Sequence, residues 1–400
     1  MLGAPRAPIA FPYEFDPERR ARARLYERGS HWISIVGGTA LPLAFAAAFL
    51  AFGGSRALAD FAAGRAGGSL LAADALYTVG FAALFAALTL PVAYYSGHLR
   101  ERRWGMTHRR RRDFGKDAAK SVVLGTAFAL ALLLPFFYIT RHYEWWWAVT
   151  AVLYAGYLLV STSVLPNLLL PVFYKVDPLP EGELRSAILE VSARAEVPPI
   201  RQVVVMRESA KSPRANAFIH GIGRTRRVVL YDTLLSDFHP REVRFTVAHE
   251  VAHLAHRDVA RTFAITVLLV FPEMWLLSLA LGAVGPAFGI AGPTDVAVVP
   301  LLLILVTLIG LADGVALSFL SRRAEARADA FALEATQDPD AAESMMKRLC
   351  DRNLIDEAPS PLVERLLYSH PAPAKRIQAA RSFAARRASN PQGPPRAASP

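Results

Sequence analysis

The chain has 400 residues, 53% of them hydrophobic, and a mean hydropathy of +0.27. So many apolar side chains exceed what a soluble protein can hide while keeping a polar surface, and the composition points to a membrane protein. Forty-five Lys and Arg against 34 Asp and Glu leave a net charge of +11, while the single cysteine, Cys350, excludes an intrachain disulfide and a cysteine-built metal knuckle.

In chain order, residues 1–32 form a basic segment with no apolar stretch ahead of a small-residue cleavage site. No removable signal peptide is expected, and the first apolar run should stay as an anchor. A helix needs about 20 residues to cross a hydrocarbon layer roughly 30 Å thick. Runs of that kind occur at 33–53, 71–95, 121–140, 146–173, 262–285 and 296–320, which predicts four spans within 33–173 and two more within 262–320. Basic clusters lie at "ERRARARLYERG", "RERRWGMTHRRRRDFGKDAAK" and "SRRAEARAD", whereas the intervening connections "GSRALADFAAGRAGG", "RHYEW" and "GPAFGIAGPTD" are poor in them. That alternation follows the positive-inside rule for six spans with both termini cytoplasmic. The positive charge is therefore topological, nucleic acid is not expected as a partner, and "RRRR" at 109–112 reads as a topogenic and lipid-headgroup patch.

Residues 174–261 are the main soluble insertion. "PLPEGELRSAILEVSARAEV" has helical periodicity, and "QVVVM", "NAFIHG" and "RRVVLYD" read as short strands rich in β-branched residues. A helix should start at Pro240, with Glu242 in its first turn, and continue through "HEVAHLAHRDVART" into the fifth span. Another is predicted over "SRRAEARADAFALEATQ" in 321–383, followed by a disordered tail at 384–400.

Within "FTVAHEVAHLAHRD", His249 and His253 stand four residues apart, so one helix face can aim both imidazoles at one ion. Glu250 beside them can take a proton from a water held on that ion, and the metal itself polarises a carbonyl. A catalytic zinc wants a third protein ligand and an open position. Glu325 in "EARAD" is the candidate, with Asp329 four residues on to accept a hydrogen bond from a ligand imidazole. The competing reading of that stretch is a solvated helix carrying Arg322, Arg323 and Arg327. His256 is expected to be structural or to support the ligands, because three ligands already leave the required open site. His31, His98, His108, His142, His220 and His239 are expected on the surface or in loops. Glu273 and Asp313 fall inside predicted spans, where a carboxylate must either face water or be neutralised by a proton or a neighbouring helix.

The chain resembles the type-I CAAX prenyl endopeptidases, integral-membrane zinc metallopeptidases of the gluzincin kind. The blocks that carry the likeness are "LPVAYYSGHLRERRWGMT", "LPVFYKVDPLPEGELR", "ANAFIHGIGRTRRVVLYDTLL", "HEVAHLAHRD", "SRRAEARADAFA" and "YSHPAPAKR", in that order. The resemblance implies that His249, His253 and Glu325 bind one zinc ion per chain, that Glu250 is the general base and that Asp329 supports the ligands. It further implies that Asn216 and Ala217 lie on an edge strand that pairs with the substrate backbone, and that His370 and Arg376 face the scissile peptide. An extended peptide can add to such an edge through main-chain hydrogen bonds, and either side chain could donate to a developing oxyanion. Family members have seven spans around an intramembrane chamber, whereas six are expected here, with the first one missing.

The fold expected is an all-α polytopic membrane protein of about six transmembrane helices, with room for an α-barrel chamber and a small α+β zincin-like catalytic region. The function expected is zinc-dependent endopeptidase activity on a peptide or protein substrate that is prenylated or membrane-associated. The Ala- and Arg-rich composition suggests a bacterial inner membrane, with both termini and the catalytic site on its cytoplasmic side. A general membrane protease of the HtpX type is the alternative, and a non-catalytic transporter or scaffold with a vestigial metal site is the rival from another class. Glu250 argues against the last, since a purely structural site has no use for a base.

Overall fold

The computed structural model describes residues 9–194, 202–220 and 227–389. Helix α1 (Pro17–Ala51) begins well before the first apolar run. Asp16 caps it by accepting from the backbone N–H groups of Glu18 and Arg19 at 2.9 and 3.2 Å, so the second half of the basic N-terminal segment is helical and continuous with the first span. The stretch expected as a loop after it is instead α2 (Gly54–Arg65), an Ala-rich helix entered through Gly53 at φ 72°. Next come α3 (Leu70–Trp104) and α4 (Arg111–His142). Helices α1 and α3 touch at Gly37, where an added Cβ would lie 2.6 Å from Val92 Cγ1. Each also carries π-helical turns, at Ile33–Ala40 and Tyr95–Arg100.

The expected fourth span, 146–173, is divided into α5 (Trp146–Ser163) and α6 (Leu165–Phe173). A proline in the first turn of α6 cannot continue the preceding hydrogen-bond ladder, and it leaves α5 shorter than the other spans. Among the described residues, five helices are long and apolar enough to cross a membrane, with α5 as a shorter apolar companion, where the sequence suggested six full spans.

The soluble region holds a four-stranded sheet in the order β1 (Val176–Pro178), β2 (Gln202–Met206), β4 (Arg227–Tyr231) and β3 (Ala217–His220). β2 and β4 run parallel and the other pairs antiparallel, which leaves β3 at the edge with Ala217 opposite Leu230. Side chains alternate across each strand. Val203, Val228 and Leu230 face the main core, shared with the helices that follow, while Val204, Met206 and Val229 form a second cluster with Leu170 and Tyr174 at the end of α6. The sheet thereby joins those helices to the apolar bundle. α7 (Glu183–Arg194) precedes β2, and α8 (Asp232–Asp237) follows β4.

Helix α9 (Pro240–Ala255) opens with a capping box, His239 Nδ1 accepting from the Arg241 N–H while Glu242 accepts from the His239 N–H at 2.8 Å. Glu242 is fully buried and also takes Arg348 Nε at 2.9 Å and the Ser344 hydroxyl, which fastens α9 to α12 (Pro339–Asn353). The apolar face of α9, including Phe245, Val247 and Val251, packs into the core with Ala332, Met345 and Ile377. α9 does not run on into the next span. Arg257 adopts a left-handed conformation at φ 54°, and a new helix, α10 (Asp258–Val284), starts after it. α11 (Val299–Thr336) is long and apolar enough in its first half to cross a membrane and projects its second half in among α9 and the last two helices. α13 (Pro361–Leu367) and α14 (Pro373–Ser389) close the domain, α14 extending past the expected start of the disordered tail. Residues 390–400 lie outside the described residues.

Between α3, α4, α10 and α11 lies a largely apolar cavity of about 870 Å³ that both Glu273 and Asp313 line. Those two carboxylates therefore share an interior space within the bundle. His98, expected near the surface, is fully buried and stacked on Tyr94, since the π-helical turn points it into the bundle.

Candidate metal centre and active site

α9 supplies His249, Glu250 and His253, and the projecting half of α11 supplies Glu325 and Asp329, each set at helical spacing on one face. Ligand atoms of His249, His253 and Glu325 all lie within 4.8 Å of one another. His249 Nε2 is 3.1 Å from Glu325 Oε2 and His253 Nε2 is 3.3 Å from Glu325 Oε1, with the two imidazole planes at 89°. The "EARAD" stretch is thus no solvated helix at Glu325 and Asp329. Both are buried, and the arginines around them point to other work.

Each imidazole is held from behind. His249 Nδ1 donates to Asp329 Oδ1 at 2.9 Å, and Arg376 in turn donates Nε and Nη2 to the two oxygens of Asp329 at 2.7 and 2.6 Å. His253 Nδ1 donates to Asp258 Oδ2 at 3.0 Å, and Arg327 Nη2 donates to the other oxygen at 2.8 Å. A carboxylate only accepts, so each Nδ1 donates its proton, and each Nε2, facing Glu325, holds a proton or, once neutral, offers a lone pair to a cation there. Two acceptors facing a carboxylate repel unless positive charge sits between them. Glu325 Oε2 is buried without a hydrogen-bond partner among the described residues, as a ligand oxygen would be. The set of two imidazoles and one carboxylate fits a zinc-like divalent cation with an open coordination position.

The carboxylates also draw a proton to the imidazoles, and a divalent cation on Nε2 would compete with that proton. Burial works against a charged imidazole at His253, yet hydrogen bonds to Asp258 and Glu325 hold it up to about 10. Burial also opposes ionisation of Glu325, but the two histidines bring it well below the carboxylate range. Asp329 resists burial in the same way, brought down to about 2 chiefly by Arg376 and His249. Glu250 moves the other way, because burial pushes its carboxyl above the usual range, as suits a proton acceptor working near neutrality.

The remaining expected residues fall around this centre. His370 presents Nε2 3.3 Å from Glu325 Oε1 with its side chain 56% exposed, at the open side of the cluster. The Arg376 side chain is only 11% exposed, and its Nε and Nη2 are committed to Asp329. Ala217 starts the edge strand β3, and Asn216, exposed, precedes it and accepts the Tyr231 N–H on its carbonyl at 3.0 Å. His256 sits edge-on to Phe331, away from the ligand cluster.

Asp258 and Arg327 had no signal in the sequence. Five residues past His253, Asp258 would lie about 140° round a continuous helix, given about 100° per residue. Only the left-handed turn at Arg257 brings it back to Nδ1.

A buried two-histidine, one-glutamate centre beside a raised carboxyl, mounted on a bundle of membrane-crossing helices, defines an integral-membrane metallohydrolase. The comparisons agree. The pattern of peptidase family M48 matches residues 178–384, and that of the CAAX prenyl protease N-terminal region, described as five membrane helices, matches residues 2–175. The chain belongs to peptidase family M48 and is a metalloprotease of the CAAX prenyl protease type. It is 28% identical over 311 residues to the metalloprotease YhfN of Bacillus subtilis, covering 76% of this chain and 73% of that one. It is equally 28% identical over 303 residues to a CAAX prenyl protease 1 homolog of Arabidopsis thaliana, covering 72% and 69%. The crystal structure of S. mikatae Ste24p superposes with a TM-score of 0.78 at 23% identity, over 91% of this chain and 89% of that one, which establishes the shared fold.

Proposed function

We propose that this metalloprotease holds one zinc ion on His249, His253 and Glu325 and cleaves peptide bonds near the ends of lipid-modified or membrane-associated chains, in the manner of a CAAX prenyl protease. When bound, the ion supplies Lewis acidity toward water and the scissile carbonyl. Glu250 takes the proton from the attacking water and returns it to the departing amine. His370, the exposed donor at the open side, steadies the oxyanion, while Arg376 acts through Asp329 on the orientation of His249. The substrate backbone lies extended along Asn216 and Ala217 as an added strand. The distribution of basic clusters supports a cytoplasmic placement of the catalytic region.

The observation that carries the substrate class is the 870 Å³ apolar cavity among the spans of the same chain, a space suited to a lipid chain rather than to a soluble peptide. The test is to purify the protein in detergent, measure bound metal, and offer a farnesylated CAAX peptide beside its unprenylated twin, with Glu250→Gln as the control. Stoichiometric zinc and cleavage confined to the lipidated peptide are expected. Equal cleavage of both peptides would replace the lipid-specific reading with a general membrane protease.

A further inference from the structure

The loop that carries His370 is tied down at Tyr368, two residues before it. From one side, Arg322 Nη1 on α11, one turn ahead of Glu325, donates to the Tyr368 carbonyl at 2.6 Å and to the Glu364 carbonyl at 3.2 Å. From the other side the Tyr368 hydroxyl donates to Glu27 Oε2. Glu27 belongs to the N-terminal half of α1, the helix that continues as the first membrane span. The same carboxylate oxygen accepts the backbone N–H of Asp356 at 2.8 Å. Arg20, two turns earlier, pairs with Glu357, and His31, one turn later, sets its ring edge-on to Tyr368 with centroids 5.8 Å apart. Arg20, Glu27 and His31 follow helical spacing, so one face of α1 meets the segment 356–368. No catalytic role assigned above requires this face.

We infer that Glu27 is a positioning residue: by holding the Tyr368 hydroxyl, it fixes the loop that presents His370 to the metal centre. The inference rests on the reading that His370 serves the reaction. Arg322 secures the backbone end of Tyr368 to the helix bearing Glu325, and Glu27 secures the ring end to α1. Tyr368 is thus fixed at two points, and the residue two positions on inherits the constraint. A hydrogen bond whose geometry sets a reacting group within a fraction of an ångström affects turnover more than substrate capture. The first span is accordingly more than an anchor, since its extension outside the membrane becomes part of the catalytic frame.

The experiment compares Glu27→Ala, Glu27→Gln, Tyr368→Phe and the Glu27→Ala/Tyr368→Phe double variant with the full-length protein in proteoliposomes, with His370→Ala alongside. The readouts are kcat, KM and bound metal for whichever peptide the wild-type protein cleaves. Glu27→Ala and Tyr368→Phe are each expected to lower kcat ~10- to 100-fold, with KM and metal content near wild type. Glu27→Gln should recover most of the loss, because its amide oxygen still accepts from the hydroxyl and from the Asp356 N–H. The double variant should be no slower than the worse single, since both remove one contact. Wild-type kcat in Glu27→Ala while His370→Ala is crippled would overturn the inference alone. Wild-type kcat in His370→Ala would overturn the role of His370 on which it rests. Losses that multiply in the double variant, or loss of metal in Glu27→Ala, would show a general structural role and also overturn it.

Discussion

His249 and His253, the proposed ligand histidines, are supported by the same device built in two environments. Behind His249 the chain runs Asp329 to Arg376, with side chains 10% and 11% exposed and two guanidinium nitrogens on the carboxylate. Behind His253 it runs Asp258 to Arg327, where the arginine is 49% exposed and gives one nitrogen. The inner arm is locked between α9, α11 and α14, whereas the outer arm hangs on a helix break and a solvent-facing arginine.

The largest effect should appear where the arms meet and neither is disturbed. Glu250→Gln is expected to lower kcat ~10²–10⁴-fold, with zinc content unchanged, because it removes the proton acceptor and no ligand. Loss of metal in that variant would make Glu250 part of the binding set and blur the comparison. Next come the arginines. Arg376→Ala leaves the buried Asp329 carboxylate with only the His249 N–H and should cost ~3–5 kcal/mol of stability, while Arg327→Ala, which removes a half-exposed arginine, should cost under ~1 kcal/mol. Thermal unfolding in detergent measures both, and equal costs would erase the distinction between the arms.

Smaller still is the effect of the carboxylates on metal retention. Asp329→Asn and Asp258→Asn should each weaken zinc binding, within the ~10- to 100-fold range seen when an outer partner of a ligand histidine is lost. The larger loss is expected for Asp329, whose replacement also strands Arg376. Competition with a chelator gives the two affinities. A greater loss at Asp258 would mean that the outer arm, not the inner, fixes the site.

Asp329 was legible as a partner for one of the imidazoles because Glu325 and Asp329 repeat the four-residue spacing of His249 and His253, whereas Arg376, implied to face the scissile peptide, stands behind Asp329 instead. Strands β2, β3 and β4 were legible too, as β-branched runs between turns, and β3 lies at the edge as the resemblance implied, with Asn216 just ahead of it; the three-residue β1 carried no such run. What sequence periodicity could not register were interruptions. Arg257 breaks α9 from α10 without a glycine or proline to announce it, so Asp258 was invisible as a partner. The opposite error occurred at 146–173, where continuous hydropathy hid the break between α5 and α6. At 54–65 small glycine- and arginine-flanked segments suggested a loop, yet the alanines between them favour a helix. Contacts such as Glu27 with Tyr368, 341 residues apart, have no local signature at all.

An ion-pair cluster away from the metal calibrates the comparison, because no ligand geometry depends on it. Glu343 on α12 accepts Arg381 Nε and Nη2 at 3.0 and 2.7 Å and pairs with Lys347 at 2.8 Å. Arg381 brings its carboxyl down to about 2 against the opposing effect of burial, from an ordinary 4.5. The folded-state value lies below the unfolded one, so the stabilisation is fully present above about pH 4.5 and is lost as pH falls toward about 2. Glu343→Gln should therefore unfold at a lower temperature than wild type at pH 7, by an amount corresponding to about 1 kcal/mol for a partly exposed pair. The gap should narrow steadily as pH falls from about 4.5 toward about 2, the window set by that carboxyl, and a gap that stays constant would assign the effect to packing. If Arg327→Ala costs no more than this solvent-screened pair while Arg376→Ala costs several times as much, burial alone accounts for the difference between the two arms.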